Sequence, residues 1–453
     1  MSKNKTDFSQ GAVWKVIIRM AIPLMLAQLV NVLYSVVDRM YIGHIPEVGS
    51  LALTGLGLTM PIVSIVMAFA SLCSTGGGPL CSIARGRGDK EEAEKVMGNC
   101  LSLVIIFSII ITAVLLLFMR PILYAFGASD DTYPYAAKYA RIYIWGTIFA
   151  MTSLGMNCFI NLQGFPAIGM LTVVIGAVVN IILDPIFIFV LDWGISGAAL
   201  ATLISQAVSA AWAMSFLLGK RAILDLKLKN MVLQGKIVLR IISLGITGFI
   251  MSITNAIVQT ACNTQLRLYG GDTYVGAMTI ITSVREMTFM TVHGLTAGSQ
   301  PVLGYNYGAK LYSRVKQGIR FVFFSSVSYT IVAWALLMLL PEALTKVFNS
   351  DPALVAAGAR GMRIYFCAFI MMSFQLTGQS TFVGLGMSKQ AVFFSLLRKV
   401  FIVVPLVYLL PLIPAMGADG VFWAEPISDF IGGVSCFAAM FFMVYKKLPR
   451  DGE

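Results

Sequence analysis

Charge is scarce in this chain. Charged residues make up 12% of its 453 positions, about half the share of an ordinary soluble domain, roughly 25%. So little charge cannot cover the surface of a water-soluble globule of this size. Histidine is scarcer still: His44 and His293 stand far apart in sequence, which argues against a membrane-embedded enzyme built on clustered histidines or metal ligands. The seven cysteines, at 73, 81, 100, 158, 262, 367 and 436, are odd in number and form no C-x-x-C pair. Neither a disulfide framework nor a zinc site is implied, and no metal or other cofactor is expected. No G-x-x-x-x-G-K-[ST] phosphate loop is present, which argues against an ATP-driven pump on this chain. The glycine-rich run STGGGPLC (74–81) lacks the lysine and reads as a place where small residues let helices approach.

What the chain has instead is apolar length. Hydrophobic residues make up 58% and mean hydropathy is +0.83. A spanning helix needs roughly 20 mainly apolar residues. That rule segments the chain into twelve spans: 14–41, 53–82, 97–120, 134–158, 166–190, 197–219, 238–266, 274–302, 319–341, 358–384, 391–412 and 418–445. The first carries Pro23, Gln28 and Asn31 and is followed by no small-residue cleavage site, so it reads as a span rather than a signal peptide. The expected class is an all-α membrane protein with twelve transmembrane helices.

The net charge of +12 invites a nucleic-acid reading, but its placement points to topology. With the first connection taken as external, most of the Lys and Arg residues fall on the cytoplasmic side. Among them are Lys3, Lys5, Lys15, Arg19, Arg85, Arg87, Lys90 and Lys95, the connections 219–240, 302–320 and 386–399, and the tail. Arg285 alone is left as a base inside a span. This is the positive-inside asymmetry. It implies a multi-pass membrane protein with both termini cytoplasmic, partnered by lipid and not by nucleic acid.

The spans repeat in sixes. GISGAALATLISQ (194–206) and GADGVFWAEPISD (417–429) share glycines, an alanine, an isoleucine and a serine at an offset of 223. Gly88 and Gly98 pair with Gly308 and Gly318 in cytoplasmic turns at an offset of 220, and Arg19 and Arg240 precede helices of similar length. Six spans return the chain to the same side, so the two lobes, 1–218 and 237–453, are expected to be pseudo-symmetric about the membrane normal. That arrangement is used by secondary transporters. The basic connection 219–236 is expected to be a cytoplasmic linker with the character of an amphipathic surface helix.

Charged groups inside the bilayer are expensive and usually functional. Six fall within the spans: Asp38, Asp184, Arg285, Glu286, Glu425 and Asp429. In the first span Gln28, Asn31, Ser35 and Asp38 form one polar stripe. Asn180 and Asp184 stack at i, i+4 in the fifth, as do Asn157 and Asn161 in the fourth. Thr202, Ser205, Gln206 and Ser209 share a side of the sixth. Two carboxylates with amide and hydroxyl oxygens can hold a proton or a bare cation such as Na⁺. The second half differs: Gln259 stands at the position of Asp38, on one face with Asn255 and Asn263, and the tenth span has Gln375 and Gln379 but no acid. Glu286 is a cavity candidate. Arg285, turned about 100° from it, is a poor partner. Glu425 and Asp429 at i, i+4 imply a shared proton or a cytoplasm-side position. The 25 methionines and 11% aromatics suit a pliable cavity for bulky lipophilic cations.

The chain resembles the multidrug and toxic compound extrusion (MATE) family. The likeness rests on AIPLMLAQLVNVLYSVVDRMYIGH (21–44), ARGRGDKEEAEK (84–95), VVNIILDPIFIF (178–189) with GISGAALAT (194–202), and WAEPISD (423–429). The resemblance implies two six-helix lobes forming a V-shaped cavity, and export of small organic cations in exchange for H⁺ or Na⁺ by alternating access. It implies a first-lobe cation site of Asp38, Asn180, Asp184 and Thr202, with Asn157 placed ahead of Asn161 as the fourth-helix member, and a hinge at Pro23. The remaining cavity candidates are Gln28, Asn31, Ser35, Asn161, Gln206, Asn255, Gln259, Glu286, Gln375 and Gln379. Because the tenth span lacks an aspartate, a second-lobe cation site is not expected. The protein is expected to act as a monomer. The rival of similar architecture is a flippase for a lipid-linked saccharide, whose cavity would be strongly cationic; Arg285 as the lone intramembrane base favours cation export.

Overall fold

The computed structural model describes residues 6–46, 48–126, 128–348 and 351–449, without the side chains of residues 50, 256 and 272. Lys3 and Lys5 lie outside the described residues. Among those described every regular element is helical. The first half comprises α1 (Val13–Gly43), α2 (Gly49–Gly86), α3 (Lys90–Ala125), α4 (Tyr133–Trp145), α5 (Thr147–Leu162), α6 (Pro166–Pro185) and α7 (Gly194–Leu217). The long α8 (Gly235–Gly308) is followed by α9 (Tyr312–Leu339), α10 (Pro341–Phe348), α11 (Pro352–Tyr365), α12 (Phe369–Gly384), α13 (Ser388–Leu396), α14 (Val404–Leu409) and α15 (Ala418–Met440). Short π-helical segments extend α6 through Ile186–Val190, join α13 to α14 through Leu397–Val403, and end α15 at Phe441–Tyr445.

Nine of the described helices are long and apolar enough to cross a bilayer. Two bent pairs, α4 with α5 (54°) and α11 with α12 (51°), bring the number to eleven. The expected spans 134–158 and 358–384 are therefore each broken. Gly271, at a φ of +69° that favours glycine, interrupts α8. The stretch beyond it is helical through Gly308 but, with Arg285, Glu286 and His293, too polar to qualify by composition. Large apolar side chains such as Leu117, Val190, Leu239 and Leu339 remain exposed, as lipid contact requires.

The chain forms two compact units. One holds Ile22–Phe249 and the first seven residues; the other holds Phe8–Ala21 and Ile250–Glu453. This differs from a division at the 219–236 linker, because two helices change unit part way along. The change in α1 falls beside Pro23, where a helix hydrogen bond is lost. Glycines explain why the exchanged segments fit. A Cβ at Gly76 would strike the Ile241 carbonyl, and one at Gly245 the Leu72 carbonyl. In the second unit a Cβ at Gly298 would strike the Ala21 backbone. Gly76 and Gly298 are 222 positions apart, so the repeat read from sequence recurs as a repeated backbone approach.

The linker is not the expected amphipathic helix. Before α8 begins at Gly235 it is irregular, with a turn at 219–222 and one 3-10 turn, Leu228–Met231, because side chains from α3 and the α5–α6 turn take its polar groups. Glu94 accepts from the Asp225 amide (3.1 Å) and the Asn230 side chain (3.3 Å). Asn99 donates to the Asn230 and Val232 carbonyls and accepts from the Gln234 amide (2.8 Å). Gln163 accepts from the Ile223 and Leu224 amides. Lys90 and Lys227 hold the Asp225 carboxyl below the usual carboxylate range.

Candidate functional site

In the first unit, α1, α6 and α7 bring together Asp38, Asn180, Asp184 and Thr202. All four are buried, with exposures of 8%, 1%, 0% and 8%. The i, i+4 spacing on α6 lets the Asn180 amide donate to Asp184 Oδ1 at 3.2 Å. The Asp38 and Asp184 carboxyls lie within hydrogen-bonding reach of one another. Asp38 Oδ1, Asp184 Oδ2 and Asn180 Oδ1 are each buried without a hydrogen-bond partner. Three orphaned oxygens, two from carboxylates, fit a proton or a hard cation, which takes oxygen ligands. Among the described residues no group of three His, Cys, Asp or Glu side chains is suited to a metal ion.

Two tyrosines complete the setting and escaped the sequence reading. Tyr139 on α4 is buried, lies close to Asp38 and Thr202, and stacks on Tyr143 (6.3 Å between centroids). Tyr34, one turn before Asp38, lies close to both carboxylates. Its i−4 relation to Asp38 was the available signal; Tyr139 offered none beyond its place in the fourth span.

The other first-half candidates lie elsewhere. Asn157 and Asn161 face Gly169: Asn157 donates to its carbonyl at 3.1 Å, and a Cβ there would collide with Asn161 Oδ1. Gly169 is eleven residues from Asn180 on α6, about 16 Å along the helix at about 1.5 Å per residue. The structure thus separates Asn157 from the carboxylate pair, and α4 reaches it through Tyr139. Along the α1 stripe Gln28 and Asn31 are exposed and Ser35 half-buried, so only the Asp38 end is enclosed. Gln206 is half-buried on α7.

In the second unit Asn255 is exposed, and the Gln259 amide donates to Asn263 at 3.1 Å. Gln375 donates to Gln379 (3.4 Å), which donates to the Ala391 carbonyl (3.3 Å). Glu286 is exposed, and no ion pair joins it to Arg285 among the described residues. Glu425 and Asp429 share a buried base and do not stand as an isolated acid pair. Arg398 donates to both, at 2.7 Å to Glu425, and Lys399 donates to Glu425 at 3.0 Å. Arg398 and Lys399, read from sequence as cytoplasmic loop residues, are buried within a spanning helix. Arg285 is therefore not the lone intramembrane base.

An all-helical, two-unit membrane protein with a buried carboxylate pair in one repeat has the architecture of a secondary transporter. The MatE family profile matches residues 23–186 and again 248–409, and the chain belongs to that family. It is a multidrug-efflux-type membrane transporter, not an enzyme. Over 447 residues it is 25% identical to the multidrug export protein MepA of Staphylococcus haemolyticus (strain JCSC1435), covering 98% of this chain and 96% of that one. Its fold is similar to that of a MATE protein crystallised in the bent conformation, with a TM-score of 0.92, 22% identity and 98% of both chains covered. It is also similar to an outward-facing multidrug resistance MATE family transporter of the MOP superfamily, with a TM-score of 0.90, 22% identity, and 98% and 99% of the two chains covered.

Proposed function

We propose that this chain is a secondary antiporter of a bacterial plasma membrane, with both termini cytoplasmic, that exports lipophilic organic cations in exchange for H⁺ or Na⁺. The observation that carries the reading is the pairing of Asp38 with Asp184 in a buried site with three orphaned oxygens. Two adjacent buried carboxylates are costly when no ion pair neutralises them, and none does among the described residues. An external cation relieves that cost, and its release towards the cytoplasm restores it. Alternating access follows if the occupied and empty states of the pair favour different conformations, since a ligand shifts an equilibrium only by its differential affinity. Organic cation and coupling ion then compete for one charge deficit, so they exchange rather than travel together. The name of the MepA relative, a multidrug export protein, supports the same direction of transport.

The buried bases of the second unit favour one other reading, a flippase for a lipid-linked anion. Glu425 and Asp429 offset two of those three bases, which leaves cation export the better account. The test is efflux of a fluorescent lipophilic cation from proteoliposomes under a Na⁺ or a pH gradient imposed separately. Efflux driven by one of them is expected; efflux indifferent to both would overturn antiport.

A further inference from the structure

The second unit holds more positive charge than its acids balance. Arg285, Arg398 and Lys399 converge on Glu425 and Asp429, three bases against two carboxylates. The convergence depends on local backbone form. Consecutive residues of an α-helix point about 100° apart, yet Arg398 and Lys399 both reach Glu425 Oε1. They lie in the π-helical segment Leu397–Val403, and such widened turns recur at functional sites.

Arg285 is the base left over. Arg398 is engaged by both acids and Lys399 by Glu425, whereas Arg285 stands 3.9 Å from that same Glu425 oxygen, beyond hydrogen-bonding distance. Its side chain donates to the Tyr365 hydroxyl at 3.1 Å, which uses one of five N–H donors. It is also the most open of the cluster, with 23% of its side chain exposed against 5–11% for the other four. Having accepted from Arg285, the Tyr365 hydroxyl keeps its own proton to donate. The Thr282 hydroxyl, one turn back on the same helix face, is buried with no partner.

We infer that the second unit carries a subsite for an organic carboxylate, held by Arg285 with the Tyr365 and Thr282 hydroxyls beside it. A planar guanidinium matches a carboxylate through two parallel hydrogen bonds, and an arriving anion supplies the counter-charge the cluster lacks. The inference rests on the export reading only for substrate class.

Rhodamine 110 and its methyl ester, rhodamine 123, differ at that carboxylate and test the subsite by fluorescence anisotropy on the purified full chain. Arg285→Gln is expected to weaken rhodamine 110 binding by about tenfold, the worth of one charge-assisted hydrogen bond, and to change rhodamine 123 binding less than about twofold. Arg285→Lys is expected to recover part of the loss. Removing Arg285 leaves two bases facing two acids, so folding should survive. Tyr365→Phe, which removes one donor, is the second variant and is expected to weaken rhodamine 110 alone. Equal losses for both dyes, no loss for rhodamine 110, or no binding of rhodamine 110 to the unmodified protein would overturn the subsite. Gradient-driven efflux of rhodamine 123 from proteoliposomes is scored separately: its absence beside Arg285-dependent rhodamine 110 binding counts against export, and its presence without that dependence counts against the subsite.

Discussion

Asp38 on α1 and Asp184 on α6 bring their carboxyl groups within hydrogen-bonding reach of each other in the interior of the first unit. Each keeps one buried oxygen without a partner. Replacing either by Asn keeps the shape and removes the charge. Asp38→Asn and Asp184→Asn are each expected to reduce gradient-driven efflux by tenfold or more, about 1.4 kcal/mol or above, while the protein still inserts and purifies. Efflux at the wild-type rate in either variant would remove the pair from coupling.

The same pair should govern how the coupling ion stabilises the fold. A ligand that binds only the folded state adds RT ln(1 + [L]/Kd), about 2.7 kcal/mol at a hundredfold excess over Kd. Melting temperature is therefore expected to rise with Na⁺ at fixed pH if Na⁺ is the coupling ion, and to be flat in Na⁺ if the proton is. In Asp184→Asn the rise should vanish. A Na⁺-dependent rise that survives in Asp184→Asn would place the ion elsewhere.

The first-unit site was legible to the extent that its members share a helix face. Asn180 and Asp184 at i, i+4, and Asp38 at the end of a polar stripe, stand out against aliphatic neighbours. Asn157 and Asn161 have the same spacing and so looked alike, but which end of a neighbouring helix they meet is a tertiary fact, and here it is Gly169. Tyr139 was invisible because an aromatic residue in an apolar span carries no pattern. Arg398 and Lys399 were misread because bases near a span end usually snorkel to the interface. The need of Glu425 and Asp429 for buried partners was the clue that outweighed it. The linker was misread because its composition suits a surface helix, while the groups that unwind it lie on α3 and at the α5–α6 turn.

That second-unit network should be costly to break from one side. Glu425→Gln leaves Arg398 and Lys399 without their shared carboxylate, and breaking a buried ion pair in this way costs about 3–5 kcal/mol. A large fall in melting temperature is expected. The double substitution Arg398→Met with Asp429→Leu removes a base and an acid together and is expected to be milder. A double variant less stable than Glu425→Gln would contradict charge balance as the organising feature.

Backbone contact, not flexibility, is the reason for glycine at two pseudo-equivalent positions. A Cβ at Gly76 or Gly298 meets main-chain atoms that cannot turn aside. Gly76→Ala and Gly298→Ala are each expected to destabilise by about 1–3 kcal/mol through overpacking. Gly57, helical with nothing within 4 Å of a built Cβ, is the control: Gly57→Ala should be neutral or stabilising by up to about 1 kcal/mol. Thermal melts of the three variants decide it, and equal behaviour would refute the close approach.

The clasp on the linker gives the last expectation. Asn99 alone donates to two linker carbonyls and accepts from the Gln234 amide, and Glu94 takes two more donors. Removing Asn99 strips three linker groups at once, and the buried one, the Asn230 carbonyl, costs about 1–3 kcal/mol if left unpaired. Asn99→Ala is therefore expected to open the connection locally without unfolding either unit. Trypsin should then cut at Lys227 or Lys229 about ten times faster than in the unmodified protein, since cleavage follows the population of the open form. Ser102→Ala removes only the hydroxyl bonded to the Met231 carbonyl at 2.6 Å, and should speed cutting less. If Asn99→Ala left the cleavage rate unchanged, the linker would owe its irregular form to its own sequence and not to α3.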